Sequence, residues 1–177
     1  MNGYAAARDA GARVARWLAE TNGAGPLQQV LQVVAKPAEE LAELMSAMAA
    51  GDINGAVGEC CDLVITVRAA QVTIGQRGRP LNAPMACAEG DVVDTLNGLS
   101  KAVLDLGGVA IAWMGQNPRK LAANGGTLPD EVVSDHLDVV ALLACRLIHA
   151  LGRDADGALL EATVRLHHRL DGMEVSR

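Results

Sequence analysis

The stretch "KPAEELAELMSAMAAGDINGAVGECCDLVITV", residues 36–67, decides how this chain folds. Its two halves read as helices joined by the turn "AAGDING". In the first half Glu40 and Glu43 are three residues apart, and Glu39 and Glu43 are four apart. Each pair therefore shares a helix face, where like charges repel by a few tenths of a kcal/mol. In the second half Glu59 and Asp62 repeat the spacing of three. Fifteen residues separate Glu43 from Glu59, so two antiparallel helices with a short turn bring the acidic faces together. Carboxylates meeting across a helix pair require a compensating cation, and oxygen-only donors suit a hard ion, Mg²⁺ or Mn²⁺. For "EELAE" alone a solvated acidic face is the simpler account. Asp62, placed directly before "LVITV" in a very apolar helix, tips the balance towards a metal site.

Outward from this pair, apolar residues recur at helical spacing almost throughout, and alternation of period two is scarce. A first helix is expected from about Tyr4 to Glu20, stopped by "TNGAGP". A second runs from about Leu27 to Ala49, with Pro37 either kinking it or marking a fresh first turn. Asp52 caps a third from about Ile53 to Ile74, with Gly75 just past its end. "GQRGRPLNAP" reads as a linker. Beyond it lie helices from about Asp91 to Met114 and over roughly 130–151 and 155–170, with "GQNPRKLAANGGTLPD" as a loop. "ECCDLVITVRAAQVTIG" from Glu59 and "DHLDVVALLACRLIHALG" from Asp135 share their acidic pair, an apolar helix and a terminal Gly. A degenerate internal duplication follows, with repeats over 1–80 and 81–177 packed as one globular unit.

Composition agrees with an all-α fold. Of 177 residues 50% are hydrophobic, yet the aromatics are Trp17, Trp113 and Tyr4 alone, and there is no Phe. Ala, Val and Leu favour close-packed helices over a β-sandwich. A net charge of −6 without a basic run argues against nucleic acid as the main partner. No signal peptide or membrane-spanning stretch is visible, so the expected location is cytoplasmic and no membrane partner is implied. Cys60, Cys61, Cys87 and Cys145 form no CxxC pair and no zinc spacing, which suits reduced packing residues.

With these residues in view, "KPAEELAEL…GDINGAVGECCDLVITV" resembles the MazG-like all-α nucleoside triphosphate pyrophosphohydrolases, marked by EExxE followed by ExxD. The likeness covers residues 30 to 75. It implies a four-helix bundle holding Mg²⁺, with Glu40, Glu43, Glu59 and Asp62 as ligands by position. Glu39 would be an outer ligand or orient the attacking water. Pro37 departs from the family pattern. The second half resembles a decayed member: Lys101, Ala102 and Asp105 stand at the glutamate positions, and Asp135 and Asp138 at ExxD. A lysine at a ligand position opposes a second site. Single-repeat members dimerise, so the second repeat is expected to act as the partner within one chain, a pseudo-dimer; a homodimer of whole chains is open.

The resemblance implies hydrolysis of (deoxy)nucleoside triphosphates to monophosphate and pyrophosphate, in a nucleotide-pool house-cleaning or shaping role. Basic candidates for the phosphates are Lys36, Arg77, Arg79, Arg119 and Lys120, each also readable as a solvated charge. Arg68 could pair with an acid instead. Trp17 and Trp113 are the large platforms for stacking a base, and both also suit packing. A ferritin-like di-iron bundle needs ExxH, which none of His136, His149, His167 or His168 completes. A phosphoribosyl-ATP pyrophosphatase shares the chemistry but has no need of a degraded repeat. The rival of another class is a non-catalytic helical module that binds a partner.

Overall fold

The computed structural model describes residues 2–81, 91–116, 119, 123 and 125–175, the side chains of 174 and 175 excepted. Among them the chain is all-α, without a strand. Helix α1 spans Gly3–Asn22, α2 Pro26–Val30, and a π-helical turn Leu31–Ala35 leads into α3, Lys36–Ala50. Then follow α4 (Ile53–Thr73), α5 (Val92–Trp113), α6 (Asp130–Ala150) and α7 (Ala155–Val175).

The cap expected at Asp52 forms, and Asp91, expected as the first residue of its helix, is a cap as well. Asp52 accepts from Gly55 N at 2.8 Å at the start of α4, and Asp91 accepts from Val93 N at 2.8 Å at the start of α5. Gly51 and Gly75 both take positive φ, so a residue without Cβ suits these turns. Pro37 resolves as a first-turn residue behind a register change. Lys36 N–H reaches back five residues to the Leu31 carbonyl, and Pro37 has no N–H to bond. The extra residue in that turn absorbs what would otherwise be a proline kink.

Helix α4 is the axis of the molecule. Nearly every position from Cys60 to Gln71 is buried, because neighbours cover it on several sides. It forms an antiparallel hairpin with α3, crosses α1 and lies against α6. Arg68 meets Asp138 and Gln71 meets Ser134, so α4 and α6 run antiparallel. Helices α5 and α6 also pack together. Helix α7 runs parallel to α1: Gly3 N donates to Asp156 Oδ1 at 2.8 Å, and Arg13 pairs with Asp171 farther along both. One apolar cluster passes through both halves of the chain. Its largest members, Leu44, Leu63, Leu99, Leu106, Leu137, Leu147 and Leu159, are fully buried, each contributing about 1.5–3 kcal/mol.

Small residues let these helices approach closely. A Cβ on Gly11 would lie 2.6 Å from Arg68 Cβ and 2.8 Å from Ala69 N, so α1 crosses α4 at backbone contact. Such close backbone approach suits a core with so few aromatics. No helix among the described residues is long and apolar enough to cross a membrane.

Candidate metal centre

The α3–α4 hairpin turns through Gly51 and Asp52 and folds the acidic face of α3 onto that of α4. Carboxylate oxygens of Glu40, Glu43 and Glu59 all lie within 4.8 Å of one another. Glu40 is buried, 7% exposed, while Glu59 is half-buried and Glu43 exposed. The site is thus open to solvent on one side and walled by the apolar core on the other.

Protonation reports the strain of this arrangement. Burial, then the charges of Glu43, Asp62 and Glu40, raises Glu59 to about 7, and a protonated Glu59 hydrogen-bonds Glu43. Burial likewise raises Glu40, partly offset by Lys36 and reinforced by Asp62 and Glu43. Burial raises Asp62 as well, with Arg169 and Arg165 pulling it back down. Glu40, Glu59 and Asp62, held above the ordinary carboxyl range by burial first and by their acidic neighbours second, form a site that gains from a cation. An all-oxygen set of this kind fits a hard divalent ion and gives no purchase for a soft one.

The expected ligands are therefore not equivalent. Glu40, Glu43 and Glu59 form the close set. Asp62 lies outside it, near enough for its charge to be felt, on the side towards α7. Glu39 is exposed and bonds Lys36 Nζ at 2.8 Å, and Lys36 also reaches Glu40 at 3.1 Å. Lys36 is thus a clamp on two neighbouring carboxylates.

Two of the remaining basic candidates, Arg77 and Arg79, are not gathered here. Arg77 and Arg79 follow the far end of α4, about 20 Å along its axis from Glu59 at ~1.5 Å per residue. Arg77 lines a separate cleft with Arg8 and Asp9, and Arg79 pairs with Asp135 at 2.8 Å. Arg119 is exposed, and Lys120 lies outside the described residues. Trp17 is half-buried on α1. Trp113 donates from Nε1 to Asp130 at 2.7 Å, which ties the end of α5 to the start of α6. Cys60, Cys61 and Cys145 are free and buried; burial pushes Cys61 and Cys145 up to about 12, which leaves them inert.

The aligned acids of the second half sit in different company. Asp138 accepts from Arg68 Nη1 at 2.6 Å and Gln71 Nε2 at 3.0 Å, in a largely buried network that also binds the Arg79 backbone. Asp135 has Arg79, and Asp105 has Lys101. Each of these carboxylates already has a protein cation. The offset that carries Glu59 onto Asp135 and Asp62 onto Asp138 carries Arg68 onto Ala144, so the second half has no guanidinium at the position matching Arg68.

Two basic residues that spacing did not single out face the acidic cluster. Arg169 and Arg165, one turn apart on α7, act on Asp62 more strongly than Lys36 does. Their one sequence signal is the i,i+4 spacing in "VRLHHRL"; only the packing of α7 beside α4 relates them to Asp62. Compared with protein-family models, curated proteins and solved structures, the chain finds no match.

Proposed function

We propose that this chain is a divalent-metal-dependent nucleoside triphosphate pyrophosphohydrolase of the MazG-like type, with one active site per chain. The observation that carries the reading is the convergence of Glu40, Glu43 and Glu59 within 4.8 Å across the α3–α4 hairpin. These three would hold Mg²⁺ or Mn²⁺, which supplies positive charge to the triphosphate and acidifies the attacking water. Water adds across the bond between the α- and β-phosphoryl groups, and the products are a nucleoside monophosphate and pyrophosphate. Glu39, exposed beside Glu40 and paired with Lys36 at 2.8 Å, would orient that water in this reading. The buried wall behind Glu40 keeps bulk water from one side of the centre.

The pseudo-dimer belongs to the same reading. Its support is the antiparallel contact of α4 with α6 and the repeated acid spacing in those two helices. In this account the second repeat has exchanged its cation for Arg68, Arg79 and Lys101, and serves as the wall on which α4 packs. Loss of that site explains why a lysine stands at Lys101 without penalty: it is exposed and paired with Asp105.

The test is product analysis by phosphorus NMR for a panel of ribo- and deoxynucleoside triphosphates with Mg²⁺. Monophosphate and pyrophosphate are expected in equal amounts. Diphosphate with orthophosphate, or no turnover by well-folded protein, overturns the assignment and favours the non-catalytic module.

A further inference from the structure

Three arginines surround a small cavity at the start of α1. The cavity, of about 130 Å³, is lined by Arg8 on α1, Arg68 on α4 and Arg79 in the segment after α4, together with Asn2, Tyr4 and Leu81. No carboxylate among the described residues lines it. Arg68 is its fixed member, because that side chain is 4% exposed. It gives Nη1 to Asp138 and Gln71, and one N–H of Nη2 to the Arg79 carbonyl. Two of the five N–H groups of its guanidinium therefore have no acceptor among the described residues. Buried donors are normally satisfied, so this pair calls for an acceptor. Arg79 gives Nη2 to Asp135 at 2.8 Å, and Arg8 has Asp9 at 3.7 Å, too long for a hydrogen bond. Each arginine thus has one acid that does not line the cavity, and N–H donors to spare.

We propose that the cavity lined by Arg8, Arg68 and Arg79 binds a small phosphate-type oxyanion. Its volume is about four times the ~30 Å³ share of one water molecule, and well below the ~300 Å³ at which drug-sized sites begin. It therefore takes a phosphoryl group and has no room for a nucleoside. The N–H fork of a guanidinium matches the oxygens of such an anion. The anion supplies acceptors for the two remaining donors of Arg68 and offsets the repulsion among three cations. Because its partners come from α1, α4 and the segment after α4, binding ties these three together. The site is separate from the metal centre. Arg68 follows Glu59 by nine residues, about two and a half helical turns, which puts it on the opposite face of α4 and ~13 Å along the axis. The inference stands independently of the pyrophosphohydrolase reading.

The experiment is calorimetric titration of the full chain with inorganic phosphate, in chelator so that no metal-bound phosphate contributes. Wild type is compared with Arg8→Gln, Arg79→Gln and Arg165→Gln. Wild type should bind one phosphate per chain, saturably. Loss of the charge-assisted hydrogen bonds of one guanidinium predicts about tenfold weaker binding for Arg8→Gln and for Arg79→Gln. Both side chains are exposed, so these variants keep the fold. Arg165→Gln, exposed on α7 and away from the cavity, should match wild type. Glycerol phosphate, titrated alongside, separates the two sources of the anion. Binding of inorganic phosphate alone supports the site as one for the free ion, and binding of both supports it as a seat for the phosphoryl end of a larger molecule. Wild type without saturable binding of either overturns the proposal. So do Arg8→Gln and Arg79→Gln proteins that bind as wild type does, or an Arg165→Gln protein weakened as much as they are.

Discussion

Removing the Asp138 carboxylate tests how the second half of the chain is held against α4. Asp138→Ala deletes the acceptor for Arg68 Nη1 at 2.6 Å, Gln71 Nε2 at 3.0 Å and the Arg79 backbone N–H at 2.9 Å. The Arg68 side chain is 4% exposed, so its guanidinium stays buried with only the Gln71 and Arg79 oxygens for company. Truncating one partner of a buried pair costs about 3–5 kcal/mol, because the other charge is left uncompensated. In a chain of this size each kcal/mol lowers Tm by roughly 2–4 °C, so a fall of roughly 10–15 °C is expected. Urea unfolding at neutral pH, analysed by linear extrapolation, gives the free energy directly. The companion variant Arg68→Met with Asp138→Leu removes both charges while keeping volume, and is expected to recover most of the loss. A loss below about 1 kcal/mol for Asp138→Ala refutes the claim that this pair replaces a cation in the second repeat.

Two further outcomes follow from the packing and the charges. Gly11→Ala improves helix propensity by about 1 kcal/mol, but its Cβ would meet Arg68 Cβ at 2.6 Å. A net destabilisation of about 1–3 kcal/mol in urea is expected, and a stabilised variant contradicts the close crossing of α1 over α4. In chelator, stability should fall as pH rises from the unfolded value of 4.5 to about 7, where folded Glu59 titrates. In that window the folded chain holds a proton that the unfolded chain has released, so the Glu59 contribution is full below the window and lost above it. Solvent screening at this half-exposed side chain limits the loss to about 1 kcal/mol, and Glu59→Gln flattens the slope. Saturating Mn²⁺ should restore stability above pH 7.

The helices were legible because their ends are written locally. Asp52 and Asp91 are N-caps that need only their own first turns, and Gly75 follows α4 with the positive φ its type favours. Pro37 was ambiguous for a physical reason: a missing N–H is compatible with a kink or with a first turn, and the π turn before it supplies the first turn within a continuing helix. The acidic set was legible because i,i+3 and i,i+4 spacing plus a short turn suffices to bring two helix faces together. The cations were not. Arg77 and Arg79 drew notice as loop charges, yet the length of α4 removes them from the cluster. Arg165 and Arg169 come from the other end of the chain, and only the tertiary docking of α7 brings them near Asp62. Arg68 was readable as an ion-pair partner, but its choice of Asp138 depends on the antiparallel register of α4 and α6. The unequal standing of Asp62 among the four acids likewise depends on that tertiary docking.

The most direct test of the metal centre is a Mn²⁺ titration of the wild-type chain and of Glu43→Gln at pH 7. Glu43 is exposed, so this variant keeps the fold and changes only the donor set. Wild type should bind Mn²⁺ with release of protons, because Glu59 must ionise to serve as a ligand. Losing a supporting contact of a metal site already costs about 10–100-fold, so loss of a ligand should weaken binding by at least about 10-fold. Equal binding by the two proteins, or no binding by wild type at millimolar Mn²⁺, would contradict the assignment of these glutamates as a metal centre.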